Sequence, residues 1–268
     1  MNPTDTLDKL FATWSSIGEL CAPLTEAQWK SATACPGWSV QDTISHLIGV
    51  ELVLTGVKPT SHRSSPRTYV KNPIGEMNEH EVDARRSLTG AQVLAEWNEI
   101  VTKRSIELRA GDETYFATPA MTPMGPGTVS DFLNIRVLDC WIHEQDIRRA
   151  LNIPGHESGP SAEHTIDRLT RTLPLVIGKR AATPEGESVN FRITGPVNRS
   201  LFITVLNGRA VVVDDQPKNI QTTFSIDSNT FVALATGRTT AEETRSHWSA
   251  TGDNELALRI AHNLNMMI

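Results

Sequence analysis

Several things are missing from this chain, and each absence removes a class of function. Only three cysteines occur in 268 residues, Cys21, Cys35 and Cys140. Their count is odd, their spacings are unrelated and no C-x-x-C pair is present, so they read as reduced thiols and not as a disulfide framework. No apolar run reaches the length that crosses a bilayer, so no membrane association is expected. No basic stretch followed by an apolar one opens the chain, which makes the cytoplasm the expected location. Positive charge is not in excess: 25 Lys and Arg face 31 Asp and Glu, for a formal net charge of −6. A non-specific nucleic-acid binder would need a basic face, so no nucleic-acid partner is expected. There is no G-x-G-x-x-G, no Walker-type loop, no internal repeat and no low-complexity tract. What is present is an ordinary hydrophobic content of 39%. It is enough for a sizeable core, in two domains or one large one.

The most informative stretch runs from Val129 to Asn152. It contains no Gly or Pro, follows Gly125-Pro126-Gly127, and ends before Pro154-Gly155. Thr128 or Ser130 can cap its start. Phe132, Leu133, Leu138, Trp141, Ile142, Ile147 and Leu151 supply apolar bulk, so this helix is expected to be mostly buried. Asp139 and His143 lie one turn apart on one face, and Arg136 and Asp146 extend the same polar line. Buried polar groups need partners.

Upstream, residues 6 to 24 read as a first helix and Thr25 to Trp29 as one short turn. Cys35-Pro36-Gly37-Trp38 is a turn. Ser39, with Asp42 three residues on, begins a second helix that carries His46. Residues 56 to 75 form a long surface loop that borders a site. Glu76 to about Arg109 is helical, with a dent near Ser87 to Gly90, and residues 110 to 127 read as a loop. Long helices with long connections in the first half predict a helical bundle with its site between facing helices. After Pro154 the character changes. Residues 161 to 179 suggest a further helix. Strands are predicted at Ser188–Thr194, Leu201–Leu206, Arg209–Asp214, Thr222–Ile226 and His247–Ala250, with Asn207-Gly208 as a hairpin turn. Helices are predicted from Asn229 to Thr236, after Thr239, and from Asp253 to Met267. The fold class expected is α+β in two domains: a bundle over 1–155, a connecting helix or linker over 156–185, and a small α+β domain over 186–268.

The residues themselves leave two readings open for the polar line. In one, His46, Asp139 and His143 meet as ligands of zinc or another divalent metal, with a position left for water or substrate. Asp146 then orients His143. In the other, Asp139 pairs with Arg136 or Arg148, Asp146 pairs with Arg148 or Arg149, and His46 is a satisfied core histidine. Cys35 stands before a helix N-terminus, where a thiol is activated, but its Pro-Gly neighbours suit a structural turn. Arg238 follows Gly237 at a helix end, either exposed or reaching a carboxylate.

Cys35-Pro36-Gly37-Trp38-Ser39-Val40-Gln41-Asp42, followed by His46-Leu47, resembles the C-P-G-W-[ST]-V-x-D-x-x-x-H-L signature of mycothiol-dependent maleylpyruvate isomerase-like proteins. Asp139-x-Trp141-x-His143-x-x-Asp146 is similar to a second segment of that family. Ala233-Leu234-Ala235-Thr236-Gly237-Arg238 and Thr251-Gly252-Asp253-x-Glu255-Leu256-Ala257 resemble its C-terminal domain. The resemblance implies a DinB-like metal-binding four-helix bundle followed by a sterol-carrier-protein-like α+β domain. It implies zinc, or another divalent metal, on His46, Asp139 and His143. Asp139 stands where the family often has the longer Glu. It implies mycothiol as thiol co-substrate, a small electrophilic substrate, and isomerase or S-transferase chemistry. It also assigns substrate carboxylates to Arg238 and to Arg85 or Arg86. The chain is expected to work as a monomer or small homo-oligomer. The competing expectation is a non-catalytic protein that binds a lipid or small molecule in the sterol-carrier-like domain.

Overall fold

Helix starts in this chain are fixed by reciprocal side-chain caps. Thr25 with Gln28, Ser39 with Asp42, Thr89 with Gln92 and Thr128 with Asp131 each form a capping box. The hydroxyl accepts a backbone N–H of the first turn, and the fourth residue's side chain accepts the N-cap N–H. A computed structural model describes residues 3–267. It divides into two compact units, the first running to His156 and the second starting at Glu157.

The first unit holds α1 (Thr4–Cys21), α2 (Glu26–Trp29), α3 (Val40–Leu54), α4 (Pro73–Asp83), α5 (Gly90–Ala110), α6 (Glu113–Ala117), a β1–β2 hairpin (Pro119–Thr122 and Gly125–Thr128) and α7 (Val129–Leu151). α1 packs on α7 and α5, and α3 packs on α5 and α7, which closes a four-helix ring. Leu10, Ile17, Ile44, Leu47, Trp97 and Val137 fill its centre. Each apolar side chain fully buried there contributes about 1.5–3 kcal/mol. α4 lies outside the ring against α3.

Two expectations are corrected here. The helical segment after Glu76 is not one dented helix but two, α4 and α5. Ala84 to Ser87 turn, and Thr89 caps a new start. Gly90 follows that cap because the Trp29 indole occupies its Cβ position, with Cδ1 2.2 Å from where a Cβ would be. Residues 110 to 127 are likewise not a plain loop. They hold α6, capped by Asp112, and the hairpin, whose Thr122 Oγ1 donates to the Gly125 carbonyl at 2.8 Å. The end of α7 also differs in cause. Asn152 adopts a left-handed conformation (φ 54°, ψ 42°) and ends the helix before Pro154 is reached.

The second unit is built on a five-stranded sheet in the order β5-β4-β3-β6-β7: Arg209–Val213, Arg199–Leu206, Ser188–Thr194, Thr222–Asp227 and Trp248–Gly252. β3 and β6 are parallel and the other neighbours antiparallel. Asn207 and Gly208 both have positive φ, as the tight turn between β4 and β5 requires. The Phe191 and Trp248 rings stack on that of Phe224 at 5.3 and 5.2 Å, and Phe231 meets Phe191 edge-on. α8 (Pro160–Thr170) packs on α9 (Ser228–Ala235). A π-helical turn (Leu175–Arg180) packs on β5 and on α10 (Asn254–His262). Residues 157–185 therefore belong to this unit's packing. The helix expected after Thr239 is a set of turns ending in a 3₁₀ turn, Arg245–His247. The two-domain α+β class stands as expected, with a helical bundle first and a sheet domain second. Among the described residues no helix is long and apolar enough to cross a membrane.

Trp97 of α5 is fully buried at the centre of the ring. Trp97→Ala is expected to cost about 3–5 kcal/mol. The loss is measured as reduced hydrogen-exchange protection of α1 and α3 amides.

Candidate metal centre

The site begins in the Cys35-Pro36-Gly37-Trp38 turn. The Trp38 N–H closes it on the Cys35 carbonyl at 3.0 Å. Gly37 has φ +76°, and a Cβ there would lie 2.2 Å from Tyr69 Cε1. Glycine is required on both counts. The turn delivers Ser39 as N-cap of α3, and two turns later α3 presents His46. α7 presents Arg136, Asp139, His143 and Asp146 on one face, as their spacing predicts.

His46 Nε2 lies 3.4 Å from Asp139 Oδ2, and His143 Nε2 lies 3.5 Å from Asp139 Oδ1. One ligand atom from each of the three residues lies within 4.8 Å of the others. The imidazole centroids are 4.9 Å apart, with the rings at 69°. Two atoms each about 2.1 Å from a tetrahedral zinc lie about 3.4 Å apart, and each imidazole Nε2 lies about that far from one of the two Asp139 oxygens. Two neutral nitrogens and a carboxylate are also a donor set that zinc and iron-like ions accept. Asp139 is at the same time in tight contact with the Arg136 guanidinium. The Arg136 pairing of the second reading is therefore present beside the clustering that the first requires.

Support for the three is uneven. His143 Nδ1 donates to Asp146 Oδ2 at 3.1 Å, which turns Nε2 toward Asp139. The same carboxylate accepts Cys35 Sγ–H at 3.2 Å and Arg149 at 2.9 Å. Cys35, His143 and Asp146 also lie close enough to suit a metal, yet hydrogen bonds to one acceptor already account for their packing. His46 Nδ1, by contrast, is buried with no hydrogen-bond partner. Burial lowers the pKa of His46 despite the neighbouring Asp139. Burial also opposes charge on His143, but bonds to Asp146 and Cys35 and the charge of Asp139 outweigh it, pushing its pKa up to about 10. Burial would raise Asp139, yet Arg136, His46 and His143 hold it well below the usual carboxylate range.

Residues 10–148 match the family model described as the mycothiol maleylpyruvate isomerase N-terminal domain, just over half of the chain. The chain belongs to this family. Two Mycobacterium tuberculosis relatives, the uncharacterized proteins MT0041 and Rv0036c, are each 24% identical over 202 residues. The alignment spans 73% of this chain and 75% of theirs. The crystal structure of a mycothiol-dependent maleylpyruvate isomerase superposes with a TM-score of 0.58 at 16% identity, covering 94% of this chain and 93% of that one. A histidine-to-alanine mutant of that enzyme gives 0.57 at 15% identity. At this identity the likeness speaks for the fold, over both units.

The family's expected arginines lie in three settings. Arg85 is buried in the turn between α4 and α5, bonded to Glu81 and Glu96. Arg86 beside it pairs with Asp42, Glu79 and Asp83, while its Nη2 is buried without a partner. Arg238 lies in the second unit just past α9, and its Nη1 donates to the Thr236 carbonyl at 2.6 Å. Sequence reasoning assigned nothing to Trp38 or Glu51. The Trp38 ring lies 5.2 Å from that of His46 and 6.1 Å from that of His143. Glu51, fully buried, receives Arg136 Nε at 2.8 Å and Arg104 Nε at 3.3 Å. The only advance signal for Glu51 was its position in an apolar run. Glu51→Ala leaves two buried guanidiniums short of a counter-charge. An expected loss of about 3–5 kcal/mol is read by chemical denaturation.

Proposed function

We propose that this chain is an enzyme that binds a divalent cation, zinc by preference, and uses a low-molecular-weight thiol of the mycothiol class on a small electrophile. The reaction is a cis–trans isomerisation of the maleylpyruvate type, or transfer of the thiol to the electrophile. The observation that carries the reading is the convergence of His46, Asp139 and His143, whose ligand atoms lie within 4.8 Å of one another, with both Nε2 atoms 3.4–3.5 Å from an oxygen of the Asp139 carboxylate. Membership of the family supports it.

When bound, such a cation lowers the pKa of a thiol or polarises a carbonyl. The chain's own residues do the rest. His46, Asp139 and His143 hold the cation and leave a coordination position for an incoming sulfur or oxygen. Asp146 fixes the tautomer of His143. Trp38 shields the imidazoles with an apolar ring. Arg238, followed by Arg85 or Arg86, is the candidate to hold a substrate carboxylate. Because the thiol is the co-substrate's, Cys35 stays a hydrogen-bond donor to Asp146. The carrier reading draws less support, since the stacked Phe191, Phe224 and Trp248 rings fill the core of the second unit.

Zinc reconstitution of the pure protein is expected to give about one equivalent by elemental analysis. His143→Ala is expected to lose it. Less than about a tenth of an equivalent in the parent protein would sink the reading. Asp146→Ala is expected to weaken zinc binding about 10–100-fold in a chelator competition. The zinc-loaded protein, given mycothiol and a panel of small electrophiles, is expected to form adducts or isomerise at least one.

A further inference from the structure

The long segment between α3 and α4 is tied down at several points, and most ties end on α4. His62 Nε2 donates to Asp83 at 2.7 Å, and the Ser64 N–H donates to His80 Nδ1 at 3.2 Å. The Thr60 N–H donates to Glu81 at 2.6 Å. The tie that matters most is at Glu79, which is 1% exposed. Its Oε2 accepts the Trp38 indole N–H at 2.9 Å. Its Oε1 accepts the Tyr69 hydroxyl at 3.0 Å and Arg86 Nη1 at 2.7 Å. One buried carboxylate thus holds the ring over the two imidazoles with one oxygen, and the end of the loop with the other. The Tyr69 ring also rests on Gly37, the residue before Trp38. Loop, turn and indole are in continuous contact.

We propose that Glu79 is a positioning residue of the metal centre, which locks the Trp38 indole over His46 and His143 only while Tyr69 of the loop is bound to the same carboxylate. Loop seating and imidazole cover are then a single event. The two oxygens belong to one planar carboxylate, so losing a donor from one oxygen frees the group to rotate toward the strongest donor that remains, the charged guanidinium. With Tyr69 detached, Arg86 is the hydrogen-bond donor left on Oε1, so the carboxylate turns toward that guanidinium and draws Oε2 away from the indole. The chemical consequence, a covered position for a thiol and an electrophile, rests on the metal–thiol reading above. The coupling itself rests on the hydrogen bonds alone.

The test uses the full chain without added metal, labelled with ¹³C at histidine Cε1. Trp38→Leu defines the resonances of the uncovered His46 and His143 rings. Tyr69→Phe removes one hydroxyl and keeps the ring on Gly37. It is expected to move both imidazole resonances toward their Trp38→Leu positions and to speed limited proteolysis within residues 56–72 about tenfold, the cost of one bond to a charged acceptor. Glu79→Ala is expected to do the same to a greater extent. Faster cleavage with both imidazole resonances at their parent positions would overturn the coupling. So would shifted resonances with cleavage unchanged. If Glu79→Ala does not fold, Tyr69→Phe decides alone. A protein that takes up no zinc but shows the linked changes would retain this inference while the proposed function failed.

Discussion

The Asp139 carboxylate is the point on which the site depends. It sits among two imidazoles and a guanidinium inside a helical bundle, where an unpaired charge would be expensive. Its surroundings supply the compensation in sequence. Arg136 faces it from one turn away, Glu51 of α3 answers Arg136, and Arg104 of α5 answers Glu51. This chain of alternating charge runs through three of the four bundle helices. The helices are thereby joined by directional bonds as well as by apolar packing, and the α7 face that carries Asp139 and His143 has a defined rotation. An all-apolar core of the same volume would pack as well, but it would not specify where Asp139 and His143 point.

Much of this was legible from residues alone, because the signals are local. Each capping box is a four-residue pattern, so the start of α3 at Ser39 could be read directly, and that of α7 to within the choice of Thr128 or Ser130, which the structure resolves as Thr128. Asn207-Gly208 announced its turn for the same reason. On α7 a spacing of four sufficed to place Asp139 and His143 together. What was missed depends on distant partners. The break before α5 is stabilised by Trp29 against Gly90, residues from separate parts of the chain. The β1–β2 hairpin is only four residues a side and contains Pro119 and Pro126, which weaken any strand pattern. Trp38 was quoted as part of a motif, but nothing local says that its ring lies over His46 and His143. Neither Glu51 nor Glu79 carries a local pattern that assigns it a role; their distant partners do.

The shorter acid at position 139 gains meaning from the geometry. Glutamate would reach further from α7, and Asp139 meets both imidazoles because α3 and α7 pack directly on each other. Its second contact, to Arg136, draws on the same carboxylate. Any cation held there shares its anionic ligand with a resident guanidinium, whose own charge is partly answered by Glu51. The two histidines are also unequal. His143 has a carboxylate behind it and His46 Nδ1 has no partner, so the imidazole contributed by α7 is the better fixed of the two.

Gly37 extends this dependence beyond the bundle. Its backbone dihedral would be awkward for most residues, but the closer restriction is the Tyr69 phenol ring filling the space where a side chain would start. The glycine of the C-P-G-W turn is thus specified as much by an aromatic residue far along the chain as by its own turn. A graft of this turn into another bundle would carry its shape and leave behind the ring that gives that shape a purpose.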